Sequence, residues 1–126
     1  MKRIVLIIDD NEANLLLEKD LLEVAGFTVF VAKNAAQGVE LAISKQPDII
    51  LMDMRLPDMR GSEAAKVLLA REDTRHIPVV FVTSSVLAEG IEEIKTIPNA
   101  VFIGKPISTR TFAKEVRQFI KEKVKP

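Results

Sequence analysis

Five short apolar runs, at residues 3–8, 27–32, 49–52, 77–83 and 100–104, alternate along the chain with stretches of helical periodicity. No other feature of the sequence restricts the fold so tightly. A run that is apolar at every position, such as Ile49–Met52, has to be covered on both faces. An antiparallel strand with one face in water would alternate apolar and polar residues instead. Strands that alternate with helices are joined by right-handed crossovers, which lay the helices on both faces of a parallel sheet. The expected architecture is therefore α/β. It is a flavodoxin-like, doubly wound, five-stranded parallel sheet of order 2-1-3-4-5 with five helices.

The connecting stretches carry their own start and stop signals. Asn11 is a good N-cap, and Leu15, Leu16, Leu17, Leu21, Leu22 and Val24 form an apolar stripe behind it. Gly26 is the natural stop. A second helix is expected over residues 34–44, with Ala35, Val39, Leu41 and Ala42 facing inward and Pro47 breaking the chain before the third strand. Ser62 can cap a third helix running to about residue 70, with Ala65, Leu68 and Leu69 on its apolar side. Residues 71–76 make a polar loop. Pro78 falls near the start of its strand, where strand prolines belong. A fourth helix is expected over about 86–95, although Gly90 lies inside it. Ser108 or Thr109 caps the last, which carries Phe112, Val116, Phe119 and Ile120 at helical spacing.

Composition removes several function classes. The 126 residues suit one core, so a single domain over residues 1–126 is expected, with no output domain after the last helix. Zero formal net charge argues against sequence-independent binding to nucleic acid or to an anionic membrane. The absence of cysteine excludes disulfides and thiolate chemistry, and the single histidine, His76, excludes a histidine metal cluster. Lys2-Arg3 precede only five apolar residues before Asp9-Asp10, which is too short for a secretion signal. A cytoplasmic protein with no membrane span is expected.

The chemistry gathers at the carboxyl ends of the strands, where ligands bind in open α/β sheets. Strand one ends in Asp9-Asp10, strand three in Asp53, strand four in Thr83-Ser84 and strand five in Lys105-Pro106. Singly, each has an ordinary explanation: a turn, a cap, a surface lysine. Together they would bring three carboxylates to one rim. Two unit charges 4 Å apart repel by roughly 4 kcal/mol at an effective dielectric of 20. Lys105 supplies one compensating charge, and a divalent cation with oxygen ligands would supply the rest. A carboxylate, a lysine, a hydroxyl and a metal ion are what phosphoryl transfer to that carboxylate needs. The N-terminus of the helix after Asn11 would add positive partial charge at the same rim.

Over its whole length the sequence resembles the receiver domains of two-component response regulators. Asp9-Asp10 match that family's acidic pair. Leu51-Met52-Asp53-Met54-Arg55-Leu56-Pro57, with Asp58 and Gly61, resemble its phosphoacceptor segment, and Thr83 and Lys105-Pro106 its switch hydroxyl and lysine. The short, stand-alone receivers of the chemotaxis and cell-cycle kind are the most similar. The resemblance implies that Asp53 accepts a phosphoryl group from a sensor histidine kinase or a histidine phosphotransfer protein. It implies Mg²⁺ (or Mn²⁺) held by Asp9, Asp10, Asp53 and the backbone carbonyl of Arg55. Lys105 would contact the phosphoryl oxygens, and the Lys105–Pro106 bond would be cis. Thr83 would act as the switch hydroxyl and Phe102 as the coupled aromatic. Such a chain signals to a separate effector protein by reshaping the face formed by the fourth helix, strand five and the last helix. It would be a monomer or a weak phosphorylation-dependent dimer. Ser84 stands where Ala or Gly is common in the family, and Arg55 and Ser85 occupy positions that tune dephosphorylation there.

Other functions fit less well. A chain of this kind is not a turnover enzyme; it catalyses only its own phosphoryl acceptance and hydrolysis. An aspartyl-phosphate hydrolase of small substrates would want a second Asp two residues after Asp53, where Arg55 stands. A nucleotide or flavin binder would want a glycine-rich loop after strand one, where Asp9-Asp10 stand. A receiver excised from a larger hybrid kinase or regulator, and a pseudo-receiver that only binds proteins, are further alternatives.

Overall fold

The structure is a computed structural model that describes residues 3–84, 95, 97 and 100–124. The chain runs β1 (Ile4–Ile8), α1 (Glu12–Val24), β2 (Thr28–Ala32), α2 (Ala35–Lys45), β3 (Ile49–Met52), α3 (Gly61–Ala70), β4 (Val79–Thr83), β5 (Val101–Gly104) and α4 (Phe112–Val124). The strands form one parallel sheet of order β2-β1-β3-β4-β5, as the sequence predicts. Of the helix expected over about 86–95, only Lys95 is among the described residues, and it is helical. No helix among the described residues is long and apolar enough to cross a membrane.

Side chains alternate across the pleat and fill two cores. On one face Leu6, Ile8, Ile50, Met52 and Phe81 pack with Ala35 and Ala42 of α2 and Ala64, Ala65 and Leu68 of α3. On the other Val5, Ile7, Ile49, Leu51, Val80 and Val82 pack with Leu15 and Leu22 of α1 and Phe112, Val116 and Ile120 of α4. Every residue of β3 is buried, which is why its run carries no polar position.

Several local expectations need correction. The inner face of α1 is Leu15, Glu18 and Leu22, while Leu16, Leu17 and Val24 are exposed. The leucine-rich stretch is apolar over too wide an arc for periodicity alone to pick the buried side. Ser62 does not cap α3; the helix starts two residues earlier, with Arg60 at the N-cap and Ser62 buried in the first turn. Neither Ser108 nor Thr109 begins α4 directly. The Ser108 carbonyl accepts from the Thr111 and Phe112 N–H groups at 3.2 and 2.9 Å, and the regular helix opens at Phe112. In the polar loop, Thr74 is fully buried, its hydroxyl donating to the Leu68 carbonyl at 2.7 Å. Asn11 does cap α1, and Gly26 takes the positive φ of +100° that ends it; Asn34 caps α2.

Candidate functional site

Register sets the rim. Ile8 pairs with Met52 across β1 and β3, so Asp9 and Asp53, the next residues, come side by side. Thr83 pairs with Gly104 across β4 and β5, which places Lys105 one step beyond. Backbone bonds fix these strand exits: Asp9 N–H to the Ala32 carbonyl, Asp53 N–H to that of Ile8 and Lys105 N–H to that of Thr83, each at 3.0 Å.

The side chains then converge. Carboxylate oxygens of Asp9, Asp10 and Asp53 all lie within 4.8 Å of one another. The Lys105 ammonium donates to Asp9 Oδ2 at 2.7 Å and, more weakly, to Asp53 Oδ2 at 3.4 Å. Asp9 is buried, and its Oδ1 accepts from the Asn11 N–H at 2.9 Å. Both Asp9 oxygens therefore have donors within the protein. Asp10 is exposed and lines the cleft instead. Asp10 is thus the more accessible of the two from the cleft.

Burial pushes the Asp53 carboxyl above its ordinary value; Lys105 opposes that, and the charge of Asp9 adds to it. Burial alone would lower Lys105, but the hydrogen bond to Asp9 and the fields of Asp53, Asp9 and Glu18 outweigh it and raise the ammonium. Lys105 is thus a permanent cation at physiological pH. Three carboxylates facing one ammonium leave the cluster anionic, and a cleft of ≈ 500 Å³ opens over it, lined by Asp10, Asn11, Asn14, Asp53, Arg55, Ser84, Lys105 and Pro106. Hard oxygen donors with a charge deficit suit a small divalent cation such as Mg²⁺.

A match to the response regulator receiver domain family spans residues 5–117. The chain belongs to that family. Among relatives of this receiver domain, the polar-differentiation response regulators DivK of Brucella anthropi and Brucella ovis are each 35% identical over 120 residues. Each match covers 95% of this chain and 98% of the relative. A CheY-like receiver domain protein from Methanospirillum hungatei superposes with a TM-score of 0.86 at 25% identity, over 98% of this chain and 97% of that one. The receiver domain of a sensor histidine kinase from Pseudomonas aeruginosa superposes with a TM-score of 0.87 at 25% identity, over 96% and 99%. It was solved with a magnesium ion coordinated in its active site cleft.

The remaining positions singled out from the sequence are placed as follows. Thr83 is buried at the end of β4, beside the cluster. Arg55 is exposed, lines the cleft, and donates its N–H to Asp53 Oδ1 at a long 3.4 Å. Phe102 lies on β5 opposite Phe81 and is 42% exposed, while Phe81 is fully buried. The Lys105–Pro106 bond is cis. Ser84 lines the cleft, and Ser85 lies outside the described residues.

Two carboxylates escaped the sequence reading. Glu18 is buried on the inner face of α1, and burial raises its carboxyl to about 7, with Lys105 opposing and Asp9 and Asp53 reinforcing the shift. Its place at helical spacing between Leu15 and Leu22 was the available signal. Asp58, given no role of its own from the sequence, accepts two backbone hydrogen bonds from α2, which hold its carboxyl below the usual range.

Proposed function

We propose that this receiver domain is a phosphorylation-driven signalling switch with Asp53 as the phosphoacceptor. The observation that carries the reading is the single lysine, Lys105, donating to both Asp9 and Asp53 at the exits of β1 and β3. A carboxylate oxygen of Asp53 attacks the phosphorus of a phosphohistidine on a sensor kinase or phosphotransfer protein. The new O–P bond forms as the P–N bond breaks, and the departing imidazole takes up a proton. Lys105 already lies 3.4 Å from Asp53 Oδ2 and is placed to follow negative charge onto the phosphoryl oxygens. Asp10, Asp53 and the Arg55 carbonyl, with Asp9 behind them, would hold Mg²⁺ (or Mn²⁺), which supplies charge neutralisation of the transferring group.

Thr83 then hydrogen-bonds the phosphoryl group, and the exposed Phe102 re-seats beside it. The face built on β5 and α4, with the helix expected over about 86–95, passes the change to a separate effector protein. This is a shift between two populated states, biased by a local charge. The chain works in the cytoplasm and, apart from its own acceptance and hydrolysis of the phosphoryl group, turns over no substrate. Incubation with a small acyl phosphate and Mg²⁺ gives an acid-labile adduct on Asp53, detected by intact mass. The adduct is absent from Asp53→Asn. No adduct, or one that survives the substitution, refutes the assignment.

A further inference from the structure

Asp58 lies five residues beyond Asp53, in the loop that joins β3 to α3, and is exposed. Its carboxylate bonds to a different element. Oδ1 accepts from the Ala35 N–H at 2.8 Å and Oδ2 from the Ala36 N–H at 2.9 Å. These are the first two N–H groups of α2. The next, of Gln37, is taken by the Asn34 side chain at 2.8 Å, and that of Gly38 by the Asn34 carbonyl at 3.1 Å. The Ala35, Ala36 and Gln37 N–H groups, which precede the first intrahelical bond from Gly38, therefore all have side-chain acceptors, and a carboxylate is the charge that such an end favours.

The same loop is tied at its base. The Gly61 N–H donates to the Met54 carbonyl at 2.8 Å, and Arg55 and Arg60 form an antiparallel bridge. Gly61 packs so closely that a Cβ there would run into the Asp53 carbonyl oxygen. Arg55, itself one half of that bridge, lies on the side of the tie that faces Asp58 and lines the cleft beside Asp53.

We propose that Asp58 is a positioning residue of the acceptor site, clamping the β3–α3 loop to the N-terminus of α2 and so holding Arg55 at the metal position. The inference rests on the phosphoacceptor reading, in which the Arg55 carbonyl is a metal ligand. A cap needed only for the helix would come from its own flank, and Asn34 already provides one. Asp58 is 23 residues from Ala35 in sequence, so its two bonds fix the loop as much as the helix. A backbone ligand on a loop held at one end loses affinity because each binding event must first order the loop. Groups that orient a metal ligand from behind typically change metal affinity by about 10–100-fold.

The test uses Asp58→Ala and Asp58→Asn in the full chain. Mg²⁺ alone is titrated while ¹H–¹⁵N shifts are followed, and the initial rate of Asp53 labelling by an acyl phosphate is then measured across the same Mg²⁺ range. Asp58→Ala raises the Mg²⁺ dissociation constant about tenfold, and the labelling rate at saturating Mg²⁺ stays within about twofold of wild type. Asp58→Asn, which keeps one acceptor oxygen, falls between. Unchanged Mg²⁺ affinity in Asp58→Ala, with only a lower urea midpoint, makes Asp58 a helix cap and overturns the proposal. A lower saturating rate at unchanged Mg²⁺ affinity overturns it as well. If wild type binds Mg²⁺ but Asp53 does not label, the phosphoacceptor reading fails, while the shift titration still decides whether Asp58 supports the metal position.

Discussion

Replacing Glu18 by Gln should make the protein more stable, and by an amount that grows with pH. Glu18 is 2% exposed, and burial lifts its carboxyl from 4.5 to about 7. The folded state therefore keeps a proton that the unfolded chain has already lost. Stability from this group is fully present below about pH 4.5, declines as pH rises through the window up to about 7, and stays lost above it. The interval between the two values corresponds to about 3 kcal/mol. Gln has nearly the same shape and does not ionise, so Glu18→Gln escapes the penalty. At pH 8 the variant should exceed wild type by up to about 3 kcal/mol, roughly 10 °C in midpoint for a domain of this size. At pH 4.5 the difference should shrink to a small constant offset. Urea unfolding followed by circular dichroism at pH 4.5, 6, 7 and 8 measures it; the chain has no Trp or Tyr to report by fluorescence. EDTA in every sample keeps metal out of the comparison. A stability difference that is flat with pH, or that grows toward acid, refutes the reasoning.

Two further outcomes follow from the site. Lys105→Met leaves the Asp9 carboxylate buried without its cation; it should cost about 3 kcal/mol in urea unfolding at pH 7 and slow Asp53 labelling by an acyl phosphate at least about tenfold. Wild-type labelling kinetics would remove Lys105 from the mechanism. Gly61→Ala puts a Cβ against the Asp53 carbonyl oxygen and should cost about 1–3 kcal/mol in thermal unfolding, whereas a neutral result would mean that the loop can give way.

Strand positions and the rim were legible in the sequence because both follow from local pattern. A fully covered strand must be apolar at each position, so Ile49–Met52 announces itself, and the residue that follows it marks a strand exit. Five such exits in a parallel sheet can only lie along one edge. Asp9, Asp10, Asp53, Thr83 and Lys105 were therefore identifiable as neighbours before any coordinate was known. Sequence also determined the cap at Asn11, since the capping bond is made within three residues.

Tertiary structure decided what depends on partners distant in the chain. Periodicity could not say which arc of α1 faces the sheet, because Leu15, Leu16, Leu17, Leu21 and Leu22 cover more than one face; packing against β1 and α4 chose the arc that contains Glu18. The raised proton affinity of Glu18 comes from that burial, with Asp9 and Asp53 adding to it and Lys105 opposing it, all on other segments. The part played by Asp58 was likewise hidden, since the N–H groups that hold it belong to a helix more than twenty residues earlier. Spacing determines which residues share a strand or a helix face. Burial and long-range hydrogen bonds, which exist only once those elements pack, determine what each carboxylate does.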